Sequence, residues 1–151
     1  MADSLSWRYL DANTMIRYVE NHRDSAPAIE RLLNQTRDGV FQIAVSVIAM
    51  VEVTRSPRQP VDPARFPKIA AFFEHQFVSV RPVDRALAER AFDLILNHPW
   101  LYPIDAVHVA SAIDTACEVF YTYDEELIRR LDGLYGLRFE RPDVCVLDLM
   151  L

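Results

Sequence analysis

The sequence predicts an α/β fold with a central, mostly parallel sheet of four to five strands that is flanked by helices. Short apolar runs alternate along the chain with longer segments in which apolar residues recur at helical spacing. Because parallel strands need crossover connections, this alternation favours a parallel sheet. The 151 residues suffice for one domain, 1–151, and a content of 51% hydrophobic and 25% charged residues is typical of a globular protein.

The individual elements follow from these patterns. The predicted strands are the apolar runs at 7–10, 40–45, 77–81, 118–121 and 145–149. The predicted helices cover residues 13–20, 28–36, 47–55, 68–76, 85–97, 103–115 and 125–131. The four prolines between residues 56 and 67 predict a loop that leads into the fourth helix.

Several residues account for the predicted helix starts. Pro27 lies just inside the second helix, where a missing N–H costs nothing. Ser46 and Asp84 stand where the third and fifth helices need N-caps.

Composition excludes several classes of site and location. Three glycines are too few for a P-loop or a dinucleotide-binding turn, which need several glycines at fixed spacing. The two cysteines form no CxxC motif and no disulfide framework, so a reducing cytoplasm is expected. The longest uncharged stretch, residues 40–51, is shorter than the ~20 residues that span a bilayer, so no membrane association is expected. A net charge of −6 argues against a non-specific nucleic-acid coat.

Carboxylates at the ends of apolar elements are the informative feature. Asp11 directly follows the first predicted strand, and Asp124 follows the fourth after two residues. Ligands in open α/β sheets bind outside the carboxyl ends of the strands, so both acids are expected at the edge where such sites form.

Two further acids lie in helical segments. Glu52 is the only charge between residues 40 and 54, and Asp105 stands near the start of an alanine-rich helix. Taken singly, each acid has an ordinary interpretation: the aspartates suit helix N-caps, and Glu52 suits a solvated helix face or a pair with Arg55. Four converging carboxylates would repel and raise one another's pKa values. A hard divalent cation, Mg²⁺ or Mn²⁺, removes that penalty.

The segments around these acids resemble the four motifs of PIN domains. In order, they are YLDANTMI at 9–16, SVIAMVEV at 46–53, DAVHVASA at 105–112 and YTYDEEL at 121–127. The resemblance covers nearly the whole chain, and the length is similar to that of VapC-type toxins of toxin–antitoxin pairs.

This resemblance implies an Mg²⁺- or Mn²⁺-dependent endoribonuclease with an RNA substrate. It implies that Asp11, Glu52, Asp105 and Asp124 are the catalytic and metal-binding residues. Asn13 would help to hold the metal shell, and Thr122 would steady the fourth acid.

The resemblance also implies two protein partners: a cognate antitoxin and a second copy of the chain in a homodimer. Four phenylalanines in and around the fourth predicted helix fit either a core or such an interface: Phe66, Phe72, Phe73 and Phe77. His108, three residues after Asp105, fits packing or a place behind the metal shell better than a direct ligand. Arg55 and Arg58 fit a solvated surface better than contacts to RNA phosphates.

Two alternatives stay open from the residues. One is a PIN-like module without catalytic activity that binds RNA or serves in assembly. The other is a haloacid-dehalogenase-type phosphatase, which needs a second aspartate two residues after Asp11. Asn13 stands at that position, so this second alternative ranks low.

Overall fold

The computed structural model describes residues 4–143, which form a five-stranded parallel sheet flanked by seven helices. The strands are β1 (Trp7–Leu10), β2 (Gln42–Ser46), β3 (Val78–Arg81), β4 (Cys117–Tyr121) and β5 (Arg138–Glu140). The helices are α1 (Ala12–Val19), α2 (Ala26–Arg37), α3 (Ala49–Glu52), α4 (Phe66–Phe73), α5 (Arg85–Asn97), α6 (Pro103–Asp114) and α7 (Glu125–Leu131). The predicted fold class is confirmed.

The strand order places a ligand-binding edge between β1 and β4. Along the sheet the order is β3-β2-β1-β4-β5, and every pair is parallel. The chain therefore builds the sheet outward from β1 in one direction and then returns to add β4 on the other side. In such sheets the crevice at the carboxyl ends of the two strands that flank the reversal is the usual ligand site.

Side chains on each strand alternate between two hydrophobic cores, one on each face of the sheet. Tyr9, Phe120 and Phe139 stack on the face that α5, α6 and α7 cover, with ring centroids 5.1 and 4.8 Å apart in succession. Leu10 and Tyr121 point to the opposite face, which α1, α2 and α4 cover. Both faces are thus buried, as parallel sheets require.

The third predicted helix, 47–55, was too long. Ser46 stays in β2, opposite Arg81 of β3, and its hydroxyl accepts a hydrogen bond from the Ile48 amide at 3.2 Å. Helix α3 is a single turn that ends at Glu52, where the Thr54 hydroxyl donates to the Val51 carbonyl at 2.8 Å. Such side-chain bonds to the backbone compete with helix continuation.

The fourth predicted helix, 68–76, was placed too late in the sequence. Helix α4 begins at Phe66, because Pro67 sits in its first turn, where a missing N–H costs nothing. Strand β5 was not predicted. It has one buried residue, Phe139, with a charged residue on each side, so the sequence shows no apolar run there. The strand predicted at 145–149 lies outside the described residues.

The four phenylalanines divide between core and surface. Phe72 is buried in the core, and Phe73 is partly buried against it. Phe66 is 44% exposed, and Phe77 is half-buried beside the His75 ring.

Candidate active site

The crevice at the carboxyl ends of β1 and β4 is held together by side chains that follow both strands. Asn13 donates from Nδ2 to the Thr122 hydroxyl at 3.2 Å, and its Oδ1 accepts from the Tyr123 amide at 3.0 Å. The Thr14 hydroxyl donates to the Tyr121 carbonyl at 3.2 Å. The two predicted supporting residues, Asn13 and Thr122, therefore contact each other directly, on either side of the strand-order reversal.

Asp11 caps α1 from a buried position. Its Oδ1 accepts from the Thr14 amide at 3.0 Å, as an N-cap carboxylate does. Only 5% of the residue is exposed. Burial raises the pKa of Asp11 to about 6, although hydrogen bonds from Thr122 and Thr14 oppose the rise. The ionised carboxylate is therefore costly in this position unless a cation lies nearby.

Asp11, Glu52 and Asp105 share one open cavity of about 770 Å³. The three acids come from the end of β1, from α3 and from the first turn of α6, respectively. Asn13 and His108 also line this cavity, as do Arg55 and Arg58 from the loop after α3.

Asp124 is outside the lining of this cavity but close to Asp105. It caps α7 with Oδ1, which accepts from the Glu126 and Leu127 amides at 3.0 and 3.3 Å. The Thr122 hydroxyl accepts from the Asp124 amide at 3.0 Å. Burial raises the pKa of Asp105, and the negative charges of Asp124 and Glu52 raise it further. The four predicted acids thus form a loose cluster, in which the shared cavity brings Asp11 to Glu52 and Asp105, and Asp124 acts on Asp105 by its charge.

The donor chemistry of the cluster fits a hard divalent cation. All four acids offer carboxylate oxygens, the ligands that Mg²⁺ and Mn²⁺ prefer. Within residues 4–143, however, no three His, Cys, Asp or Glu side chains are arranged closely enough to enclose an ion. Two of the acids are engaged by other groups: Glu52 by His108 and Asp124 by the first turn of α7. The acids thus offer the right donor atoms for such a cation, but in this structure they lie farther apart than the ligands of a closed coordination shell.

Two buried residues support Glu52: His108, which the sequence predicted in packing or behind the metal shell, and Tyr9, which it did not predict as a site residue. Nε2 of His108 lies 2.6 Å from Glu52 Oε1, and Nδ1 lies 2.6 Å from the Tyr9 hydroxyl. The helical position of His108, one turn after Asp105, placed it on the site's side of α6. Its pairing with Glu52, 56 residues away in sequence, carried no local signal.

Comparison with protein families identifies the type of domain. The family model described as PIN domain matches residues 8–134, which is most of the chain. The comparison with curated protein sequences found no match to this chain.

Solved structures share the fold at low sequence identity. The VapC20 toxin of Mycobacterium tuberculosis, described as cleaving the sarcin-ricin loop, is 18% identical, with a TM-score of 0.66 over 87% of this chain and 98% of that chain. The DNA-bound VapBC of Salmonella typhimurium is 20% identical, with a TM-score of 0.65 over 91% and 98%. VapBC2 of Rickettsia felis, bound to a promoter DNA fragment, is 15% identical, with a TM-score of 0.64 over 89% and 98%.

Proposed function

This chain belongs to the PIN domain family, and from that membership we propose that it is a metal-dependent endoribonuclease, the toxin of a type II toxin–antitoxin pair. Residues 1–151 are proposed to form a single PIN-like domain. The proposed catalytic and metal-binding residues are Asp11, Glu52, Asp105 and Asp124. Asn13 and Thr122 are proposed to support them by fixing the ends of β1 and β4.

One observation carries the proposal: acids from three separate segments, Asp11, Glu52 and Asp105, line one cavity beside the ends of β1 and β4, and a fourth, Asp124, acts on Asp105 by its charge. Asp11 and Asp105 both have raised pKa values, caused first by burial, and Asp124 and Glu52 add to the rise at Asp105. Such a cluster is unfavourable for folding without a counter-charge, and perturbed carboxylates in a cleft are typical of functional sites.

The proposed residues would hold Mg²⁺ or Mn²⁺ through carboxylate oxygens. The chemistry that the cation supplies when bound is Lewis acidity, which lowers the pKa of the attacking water and offsets charge on the phosphate oxygens. Within the chain, the Thr14 amide holds the Asp11 carboxylate in place. The Thr122 hydroxyl accepts from the Asp124 amide and so fixes the start of α7.

The loop after α3 is proposed to contact RNA phosphates through Arg55 and Arg58. Both line the same cavity as Asp11, Glu52 and Asp105, both are exposed, and neither forms an ion pair with any residue between 4 and 143. Arg58 also has a positive φ of 63°, a conformation that is rare outside glycine and that recurs at functional loops. A free guanidinium offers a planar pair of donors that suits phosphate.

The proposed partners are an antitoxin and a second copy of the chain. The structures that share the fold include VapBC of Salmonella typhimurium, VapBC2 of Rickettsia felis and a toxin–antitoxin complex from Klebsiella pneumoniae. Large apolar side chains that are exposed on α3 and α4 offer surface for such contacts: Met50, Val51 and Phe66. No helix among residues 4–143 is long and apolar enough to cross a membrane. We propose the cytoplasm as the place of action, since the RNA substrate is there.

A second candidate function is an RNA-binding or assembly module without catalysis. The wide spacing of the acids favours it, because no three potential ligands among residues 4–143 enclose an ion.

Induced expression in a bacterial host distinguishes the two. The nuclease toxin should arrest growth and produce new RNA 5′ ends, while Asp11→Asn should do neither at the same protein level. Coexpression of the proposed antitoxin should restore growth. Equal arrest by Asp11→Asn, or full growth with the expressed wild type, would contradict the proposal.

A further inference from the structure

A buried chain of hydrogen bonds links the sheet to Glu52. The Tyr9 hydroxyl, His108 Nδ1, His108 Nε2 and Glu52 Oε1 follow one another, with both intervening contacts at 2.6 Å. Tyr9 is fully buried in β1 and stacks on Phe120, and His108 in α6 is 2% exposed. These hydrogen bonds therefore connect β1, α6 and α3, three elements that are far apart in sequence.

The direction of these bonds follows from the chemistry of the groups. A carboxylate only accepts, so the Nε2–H of His108 donates to Glu52. In the neutral ring Nδ1 then accepts from the Tyr9 hydroxyl. Each polar atom of the imidazole thus has one partner, as buried polar groups need.

Glu52 depends on this support because its own helix gives little. Helix α3 has only four residues, and a loop with two prolines, Pro57 and Pro60, follows it. The Glu52 amide makes a long backbone bond of 3.4 Å to the Ile48 carbonyl. A single helical turn does not fix the direction of a long, 27% exposed side chain.

The bond leaves half of the carboxylate free. His108 engages Oε1, and no residue between 4 and 143 donates a hydrogen bond to Oε2. Glu52 lines the same cavity as Asp11 and Asp105. A carboxylate that is held by one oxygen and open at the other is ready to bind a cation on its free side.

We propose that His108, held by Tyr9, is the positioning residue that orients Glu52 for cation binding. This inference rests on the proposed function, because it assumes that Glu52 is a metal ligand. Residues that orient ligands from behind typically contribute about 10–100-fold to metal affinity or activity. His108 therefore acts through Glu52 and does not itself contact RNA or metal.

Mn²⁺ titration of the RNA-free protein tests this, with the melting temperature in EDTA measured alongside. His108→Leu removes the donor and should weaken Mn²⁺ binding about 10–100-fold. His108→Gln keeps an N–H donor at a similar distance and should restore the affinity to within about threefold of wild type, as a conserved ligand orientation requires. Tyr9→Phe leaves Nδ1 without its partner and should weaken binding by a smaller factor.

Thr36→Val is the matched structural control. It removes another buried hydrogen bond, from the Thr36 hydroxyl to the Phe41 carbonyl at 2.7 Å, ahead of β2 and away from the carboxyl edge of the sheet. It should lower the melting temperature and leave Mn²⁺ affinity unchanged.

The outcomes separate this inference from the proposed function. If the wild type binds Mn²⁺ and His108→Leu binds it equally well, the positioning role is wrong and the nuclease proposal stands. If His108→Gln binds as weakly as His108→Leu, the donor is not what matters and the role is again wrong. Should His108→Leu not fold, unchanged affinity in Tyr9→Phe overturns the inference, and a loss supports it. A wild type that binds no Mn²⁺ overturns both proposals.

Discussion

The side chains of Asn13 and Thr122 are joined by a 3.2 Å hydrogen bond across the reversal in strand order. Asn13 follows β1 and Thr122 follows β4, so the bond fixes the two strand ends beside which Asp11 and Asp124 stand. Neither residue is a strong metal ligand, and their contribution is to hold the walls of the crevice in register.

Loss of this link should reduce RNA cleavage more than stability. Asn13→Ala removes the bonds to Thr122 and from the Tyr123 amide, at a cost of about 1–2 kcal/mol in the free energy of unfolding. Thr122→Val should lower cleavage as well, while Thr122→Ser keeps the hydroxyl and restores it. Gln42→Ala is the control, because Gln42 is the first residue of β2 and its bond to the Leu5 carbonyl lies at the amino end of the strands, away from the crevice. Equal cleavage by Asn13→Ala and wild type would contradict a supporting role.

Asp11 should destabilise the metal-free protein at neutral pH. Its pKa rises from 3.8 to about 6 in the folded state, so between these values the folded protein binds more protons than the unfolded chain. Asp11 therefore costs the protein no stability below about pH 4, and the free energy of unfolding falls as the pH rises from about 4 to about 6. The loss is on the order of 3 kcal/mol, since one pKa unit corresponds to about 1.4 kcal/mol.

Asp11→Asn should therefore raise the melting temperature in EDTA at pH 7.5 by about 5–10 °C, since asparagine also caps helices. The variant should also lose the decline in stability between pH 4 and 6. Asp84→Asn is the control: this exposed aspartate caps α5 with the same geometry, through the Leu87 amide at 2.9 Å, and should gain nothing. An Asp11→Asn variant that is less stable than wild type at pH 7.5 would refute the account of the buried charge.

Arg55 and Arg58 should affect RNA binding rather than the chemical step. The double variant Arg55→Gln/Arg58→Gln should raise KM with little change in kcat and should flatten the dependence of KM on salt, because two phosphate contacts are lost. Arg85→Gln on α5 removes a positive charge that is exposed and paired with Glu89, and it should change neither constant. An unchanged KM in the double variant would exclude the loop after α3 from the RNA path.

Cys117 should be an unreactive thiol in the folded protein. It is buried in the core at the start of β4, and burial raises its pKa to about 12. In a Cys145→Ser background, a disulfide reagent at pH 8 should modify Cys117 only as fast as the chain opens, since the thiolate is the nucleophile. Rapid modification without denaturant would show that this part of the core is open to solvent.

The sequence predicted elements best where a cap and an apolar stripe agreed. Helices α5 and α7 begin and end at the predicted residues, because Asp84 and Asp124 cap them and no other signal competes. Helix α4 was misplaced, because Pro67 has the same local signature in a loop and in a first helical turn. Strand β5 was missed, because an edge strand with one buried residue has little apolar periodicity.

In the site, too, the sequence predicted what depends on local signals and missed what depends on tertiary packing. The positions of Asp11 and Asp124 followed from where strands end, a local property that sequence carries. The engagement of Glu52 by His108 did not, because it depends on how α3 packs beside α6. That contact and the spacing of the acids are set by tertiary packing.

The cleavage of a defined RNA by the purified protein tests the central claim most directly. With Mg²⁺ or Mn²⁺ the wild type should cut the RNA internally, and excess EDTA should stop the reaction. Asp105→Asn should abolish cleavage, while Asp114→Asn, the same change at the solvated far end of α6, should cleave as the wild type does. Cleavage that survives EDTA, or that Asp105→Asn retains in full, would contradict a cation site built from these carboxylates.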